Sequence, residues 1–243
     1  YELTGATTAR NRLQAAAARG LSRFVGRQAE FEVIQRVMPQ AAAGHGQVLA
    51  VVGEAGMGKS RLLQHLLACG VPSEWRVLEA SSVSYGKANL YFPVIELLRG
   101  YFSLTEASES AKVQSAVAEQ VLGLSPTLGD TIPPILALLG ALPREQNYSE
   151  PTAYAALPEV SLAVAKFQNL EPQERRRQTF DALLRLFLSE SEKQPLLLVF
   201  EDLHWIDGES AALLNVLVEN LARGRIFLLV NYRPGFSHTW ANR

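Results

Sequence analysis

The sequence predicts an α/β fold in which helices cover both faces of a parallel β-sheet, and three observations predict it. Short apolar runs typical of buried strands alternate with segments whose apolar residues recur every three or four positions, as on one face of a helix. One strand-like run ends in a glycine-rich segment, and another ends in two acids. Strands that alternate with helices form parallel sheets, so we expect three layers.

The first predicted elements surround the glycine-rich segment. A helix after residue 23 is indicated by apolar residues at helical spacing, namely Phe31, Ile34, Val37 and Met38. QVLAVVG at 47–53 is a short continuous apolar run, which is typical of a buried parallel strand. SRLLQHLLA at 60–68 should be a helix, and a second strand should follow at about 76–80.

The stretch from about 91 to 190 is predicted to be mostly helical. Three-to-four spacing recurs in PVIELLRGYF, SAKVQSAVAEQVL, ILALLGAL and RRQTFDALLRLFLSES. Two further strands, PLLLVFED at 195–202 and RIFLLVNYR at 225–233, enclose a helix at 209–222. The sheet is therefore expected to carry a large, mostly helical insertion.

Composition excludes several classes of function. The chain of 243 residues is 48% hydrophobic and 19% charged, which suits one large globular domain or two small ones. A net charge of -1 gives no bulk attraction to nucleic acid or to an anionic membrane. One cysteine, Cys69, excludes a disulfide framework, and no apolar run approaches the roughly 18 residues of a membrane span. We expect a cytoplasmic protein without direct nucleic-acid or membrane partners.

Two segments are expected along the chain. Residues 1–22 are rich in Ala and Arg and lack a strong apolar period, as in a linker from an upstream domain. Residues 23–243 should form one α/β domain. The chain begins at Tyr1 and ends at Arg243, just after a strand-like run, so we expect a piece of a longer protein.

The strongest motif is GEAGMGKS, which matches G-x-x-x-x-G-K-[ST] between a strand and a helix. Its glycines let backbone N–H groups surround a β-phosphate, aided by the positive end of the helix dipole. Lys59, as a solvent-reaching charge, would bind the β- and γ-phosphates, and Ser60 would ligate Mg²⁺. The motif therefore predicts ATP and Mg²⁺ as cofactors and a P-loop NTPase fold, a three-layer α/β/α sandwich. The predicted contacts are Gly53, Glu54, Ala55, Gly56, Met57, Gly58, Lys59, Ser60 and Arg61.

The second motif is the acidic pair Glu201 and Asp202 at the end of an apolar strand. Paired carboxylates at the exit of a buried strand are costly unless a cation lies opposite, and Mg²⁺ with an attacking water supplies that reason. We predict that one acid holds the metal and the other orients the water. The usual order in hydrolytic relatives is Asp then Glu, so the assignment stays open, although strand order favours Glu201 for the metal.

Two further segments are candidates. Arg233 follows the last strand. It would face the γ-phosphate if that strand lies between the strand before the glycine-rich segment and the strand that ends in two acids. The alternative is a surface arginine before Pro234. Val25, Gly26 and Arg27 could pack beside the adenine, or they could simply lead into the first helix. We also expect Asp207 to cap the helix that follows the acidic strand. The predicted catalytic residues are Lys59, Glu201, Asp202 and Arg233.

At GEAGMGKS, LLLVFEDLHWID and LLVNYRP the sequence resembles the STAND class of P-loop ATPases, which are signalling relatives of the AAA+ group. FVGRQAEF, before the first helix, looks like the nucleotide-binding entry segment of that class. A closer resemblance is to the ATPase module of bacterial multidomain proteins, in which a class III adenylate/guanylate cyclase domain precedes the ATPase and TPR-type repeats follow it. The segments that carry it are ARNRLQAAAARGLSRFVGR, SYGKANLYFPVIELLRGYF, QERRRQTFDALLRLFL and NYRPGFSHTW. The resemblance implies an added strand in the sheet, residues 1–22 as the connector, and a lid and repeats beyond Arg243. It implies no cyclase active site in this segment.

These observations predict a regulatory ATPase. ATP or ADP would be the ligand, hydrolysis would be slow, and the nucleotide state would set the conformation of other domains of the same chain. A small-molecule kinase is an alternative, since the helical insertion could build an acceptor pocket. An AAA+ remodelling ATPase is another, but it needs an arginine finger that the sequence does not identify.

Overall fold

The computed structural model describes residues 26–82, 89–143 and 158–240, and the expectations for residues 1–22 and Val25 lie outside these ranges. The strands are β1 (Gln47–Val52), β2 (Arg76–Ser81), β3 (Leu196–Glu201) and β4 (Ile226–Tyr232). The helices are α1 (Gln28–Ala42), α2 (Lys59–Cys69), α3 (Phe92–Tyr101), α4 (Ser110–Leu124), α5 (Ile132–Leu138), α6 (Pro158–Gln168), α7 (Pro172–Lys193) and α8 (Gly208–Asn220). Helices α3 to α7 form the helical insertion between β2 and β3.

The four strands form one parallel sheet in the order β1-β4-β3-β2. β4 therefore lies between the strand before the glycine-rich loop and the strand that ends in two acids. This order confirms the predicted P-loop NTPase fold with an added strand and a large helical insertion. Because parallel strands end at the same edge, the segments after β1, β3 and β4 meet there.

The alternation of side chains along the central strands builds two cores. Leu197 and Val199 pack with α1 and α2, together with Phe227 and Leu229 of β4. The intervening residues of both strands pack under the helical insertion and α8. Both central strands are buried along their whole length, as their continuous apolar runs predict.

β1 departs from the prediction. Its apolar run predicts a buried strand, but Ala50 and Val52 are exposed, because β1 lies at one end of the described four-stranded sheet and has a neighbouring strand on one side only. Cys69 is the exposed last residue of α2. Within the described ranges, no helix combines the length and the apolar character that a membrane crossing requires.

Candidate functional site

The loop between β1 and α2 has the backbone of a phosphate cradle. Gly56 and Gly58 have φ angles of 80° and 77°, in the left-handed region that glycine adopts without strain. Gly58 is the residue that precedes the first turn of α2. The first backbone N–H groups of α2 therefore point into the loop, where the helix dipole favours an anion.

Lys59 is held inside this loop rather than reaching into solvent. The residue is only 7% exposed, and its Nζ donates hydrogen bonds to the carbonyl oxygens of Gly53 at 2.8 Å and Glu54 at 3.0 Å. The expectation of a solvent-reaching charge is therefore wrong. The two carbonyls compensate the buried ammonium, and phosphate oxygens bound in the loop would compete with them for its protons.

Arg27 contacts the same loop from the start of α1. Its guanidinium donates to Glu30 Oε1 at 2.8 Å and to the backbone carbonyl of Met57. Gly26 beside it is exposed. The segment before the first helix thus meets the glycine-rich loop, and Arg61 follows, partly exposed, in the first turn of α2.

Glu201 faces α2 because it shares the odd-numbered face of β3 with Leu197 and Val199. Its carboxylate accepts hydrogen bonds from the hydroxyl of Ser60 and from Nδ2 of Asn231, the latter at 3.2 Å. Burial raises the pKa of Glu201, and the charges of Asp202 and Glu79 add to this, while the two hydrogen bonds lower it by less. The site therefore holds a carboxylate that is only partly compensated.

Asp202 adopts a left-handed backbone, with φ 55° and ψ 45°, directly after β3. Its N–H donates to Oδ1 of Asn231 at 2.8 Å, and its carbonyl accepts from the N–H of Trp205 at 2.9 Å. Asp202 Oδ1 lies 4.0 Å from Nδ1 of His204. A non-glycine residue in this region costs free energy, and the two backbone hydrogen bonds hold it there.

Asn231 lies in the segment Asn231-Tyr232-Arg233, for which the sequence predicted a role at Arg233 and none at Asn231. It is completely buried in β4, and its amide contacts both acids, through the carboxylate of Glu201 and the backbone of Asp202. The signal was present as a polar residue within the apolar run RIFLLVNY. Arg233, by contrast, is exposed and lies one residue beyond β4.

Asp207 caps α8, as predicted. Its Oδ1 accepts from the N–H groups of Glu209 and Ser210 at 3.1 and 2.9 Å, and its Oδ2 accepts from the Ser210 hydroxyl at 2.6 Å. Oδ1 also accepts from the N–H of Tyr91 at 3.0 Å. The start of α8 and the start of α3 are thereby joined, five residues after Asp202.

The donor set suits Mg²⁺ that arrives with a nucleotide. Among the described residues, no group of three or more His, Cys, Asp or Glu side chains is placed to hold a metal ion by itself. Mg²⁺ keeps several waters and is commonly bound through one or two carboxylates together with substrate phosphates. The hydroxyl of Ser60 and the partly compensated carboxylate of Glu201 fit that pattern.

Comparison with known proteins gives two findings. The family described as "AAA ATPase domain" matches residues 23–230. Uncharacterized protein R02095 of Rhizobium meliloti (strain 1021) is 25% identical over 219 residues, which cover 89% of this chain and 19% of that protein. The chain thus spans about a fifth of the length of this curated relative.

Proposed function

The chain belongs to the AAA ATPase domain family, and we propose that it binds ATP with Mg²⁺, hydrolyses the ATP slowly, and acts as a nucleotide-dependent switch. The observation that carries the proposal is the contact between the phosphate loop and the acidic strand. The hydroxyl of Ser60, at the end of the loop, binds the carboxylate of Glu201, and Asn231 links that carboxylate to Asp202. One connected set of hydrogen bonds therefore joins the proposed phosphate site to the carboxylate of Glu201 and to the backbone of Asp202.

We assign the binding of ATP to the loop. The N–H groups of α2 and the ammonium of Lys59 would bind the β- and γ-phosphates, and Arg27 would fix the shape of the loop through the Met57 carbonyl. Ser60 and Glu201 would hold Mg²⁺. Bound Mg²⁺ would neutralise charge on the phosphates during transfer to water.

Asp202 is the residue we assign to the attacking water. It follows Glu201, its backbone is held by Asn231, and its carboxylate is not taken up in the hydrogen bonds that hold Glu201. A carboxylate beside the γ-phosphate can orient water and accept its proton. We keep Arg233 as a proposed sensor of the γ-phosphate, and Val25 and Gly26 as proposed neighbours of the adenine.

The wider context is also a proposal. The resemblance to STAND-class modules supports a signalling protein in which residues 1–22 connect an upstream cyclase-like domain to an ATPase domain at 23–243, with helical repeats downstream. The length of the relative, of which this chain covers only 19%, is compatible with additional domains. We propose ATP, ADP and those domains as partners, and the cytoplasm as the location.

Lys59→Ala and Asp202→Asn together test the function. We expect Lys59→Ala to weaken ATP binding by more than about a hundredfold, because a buried cation that binds phosphate is lost. Asp202→Asn should bind ATP with wild-type affinity and lose turnover. Isothermal titration calorimetry and phosphate release measure the two effects, and circular dichroism checks that both variants fold.

The two readouts separate the parts of the proposal. Wild-type ATP affinity in a folded Lys59→Ala variant would contradict the phosphate site. Normal turnover in Asp202→Asn, with a loss of turnover and intact Mg²⁺ affinity in Glu201→Gln, would exchange the roles of the two acids. Transfer of labelled phosphate to a small molecule instead of water would make the protein a kinase.

A further inference from the structure

Polar side chains at the start of α3, in α7 and at the start of α8 form a hydrogen-bonded group. The hydroxyl of Tyr91 donates to Oε2 of Glu209 at 2.8 Å, and Nε of Arg176 donates to the same oxygen at 2.6 Å. The N–H of Tyr91 donates to Asp207, as described above. We name these residues the site-side cluster, defined as Tyr91, Arg176, Asp207 and Glu209.

The other end of α3 carries the same chemistry at the opposite edge of the sheet. The hydroxyl of Tyr101 donates to Oε2 of Glu190 at 2.7 Å, and Nη1 of Arg76 donates to Oε1 at 3.1 Å. Gln194 also donates to Glu190 Oε1, at 2.6 Å. We name these residues the far-side cluster, defined as Arg76, Tyr101, Glu190 and Gln194.

The site-side cluster contains one residue with a left-handed backbone, Tyr91, and a second one, Asp202, lies five residues before its Asp207. Tyr91 has φ 62° and Asp202 has φ 55°, so both occupy the left-handed region although neither is glycine. Such conformations persist only where surrounding contacts hold them. Ser103, just after the other end of α3, has φ 55° as well, so the contacts of Tyr91 and Asp202 are what distinguish the site side. Asp202 is held by Asn231, and Tyr91 is held by Asp207. A single short segment, from Asp202 to Asp207, therefore joins the two strained positions.

We propose that the site-side cluster couples the acid-bearing loop to the helical insertion, with Tyr91 and Glu209 as positioning residues for ATP hydrolysis. Tyr91 directly precedes the first helix of the insertion and Arg176 lies in its last helix, whereas Asp207 and Glu209 lie at the start of α8, directly after the acid-bearing loop. A movement of the insertion would pull on this loop, and a change at Asp202 would in turn reach α3 and α7, since such coupling is reciprocal. This inference rests on the proposed ATPase function.

Tyr91→Phe tests the coupling, and Tyr101→Phe is the matched control. Each variant removes one tyrosine hydroxyl from a glutamate at one end of the same helix. We expect Tyr91→Phe to lower kcat about tenfold at an unchanged KM for ATP, the size of effect that the loss of one hydrogen bond to a charged group allows. Tyr101→Phe should lower the melting temperature and leave kcat at the wild-type value.

Hydrogen–deuterium exchange of α3 and α7, with ATP and with ADP, provides the second readout. In the wild type we expect the two nucleotides to give different exchange rates at the starts of these helices, and in Tyr91→Phe we expect that difference to disappear. A merely structural role would raise exchange equally with both nucleotides. Glu209→Gln, which keeps an acceptor for the hydroxyl but loses the charge, should reproduce the effect if Tyr91→Phe does not fold.

The outcomes separate this inference from the proposed function. A wild-type kcat in folded Tyr91→Phe and Glu209→Gln, or an equal loss in Tyr101→Phe, would overturn the coupling while leaving the ATPase intact. If the wild type binds ATP without hydrolysing it, the hydrolysis proposal is wrong, and the exchange data alone decide the coupling. Identical exchange with ATP and ADP in the wild type would then overturn it.

Discussion

Two buried glutamates, Glu190 and Glu201, lie at opposite edges of the sheet in contrasting surroundings. Glu190 is 2% exposed and Glu201 is 6% exposed, so burial is nearly the same for both. Burial alone would raise the pKa of Glu190, but hydrogen bonds from Gln194 and Tyr101 and the charge of Arg76 outweigh it, and the pKa is lowered. Burial raises the pKa of Glu201, because no cation among its described contacts compensates it.

The opposite pKa shifts show that the surroundings of Glu190 stabilise its charge and that those of Glu201 do not. A buried carboxylate with an arginine, a tyrosine and an amide around it connects α3, α7 and β2. Buried carboxylates with a raised pKa cluster at functional sites, and the proposed function gives Glu201 a ligand, Mg²⁺, to hold. Under the proposed function, the far edge of the sheet stabilises the fold, and the edge with the glycine-rich loop binds the nucleotide.

The largest expected change in stability is at Glu190, at the far edge of the sheet. Glu190→Gln should lower the free energy of unfolding by about 2 kcal/mol at pH 7, since it weakens charge-assisted hydrogen bonds from a tyrosine and an arginine. Urea unfolding measures the loss. Glu192→Gln, at an exposed position of the same helix end, should change stability by less than about 0.5 kcal/mol.

The pH dependence of the Glu190→Gln effect follows from the lowered pKa. The unfolded-state pKa is near the ordinary value of 4.5, and the folded-state pKa of Glu190 is below it. The stabilisation is therefore fully present above pH 4.5 and disappears as the pH falls through the folded-state value. An unfolding difference that is the same at pH 7 and at strongly acid pH would contradict this account.

The sequence predicted the contrast only in part. The glycine-rich loop and the acidic pair follow local rules, namely a loop between strand and helix and polar residues after an apolar run, so residues 53–60 and Glu201 were recognisable. The parallel sheet followed from the alternation of strands and helices. The resemblance predicted that β4 lies between β1 and β3, and the structure has that order.

The contacts that were missed depend on residues distant in sequence. Asn231 became a site residue because the register of β4 against β3 places its amide beside Glu201 and Asp202. The pairing of Tyr101 with Glu190 spans 89 positions, and no periodicity indicates it. The burial of Lys59 also was not predicted, because it depends on how the loop folds back over its own helix.

An effect of opposite sign is expected at the functional edge. Glu201→Gln should raise the free energy of unfolding by about 1 kcal/mol at pH 7 without Mg²⁺, because it removes a buried charge whose pKa is raised. This gain in stability should shrink as the pH falls through the folded-state pKa towards 4.5, because the wild-type carboxyl then becomes protonated and is neutral like the amide of Gln. Urea unfolding at several pH values measures it, with Glu119→Gln on the exposed face of α4 as the control. A loss of stability at pH 7 would place Glu201 with Glu190 and end the contrast.

The smallest effect is expected for the arginine of the site-side cluster, and it separates coupling from stability. The side chains of Arg176 and Arg177 are 47% and 78% exposed, and they pair with Glu209 and Glu174 respectively. Exposed ion pairs contribute little, so Arg176→Gln and Arg177→Gln should each change the free energy of unfolding by less than about 1 kcal/mol. Of these two arginines, Arg176 pairs with a residue of α8 and Arg177 pairs within α7. Arg176→Gln, and not Arg177→Gln, should therefore reduce the difference in α7 exchange rates between ATP and ADP. If Arg176→Gln instead destabilises the protein as strongly as Glu190→Gln, both clusters are structural, and the two edges differ only in their glutamates.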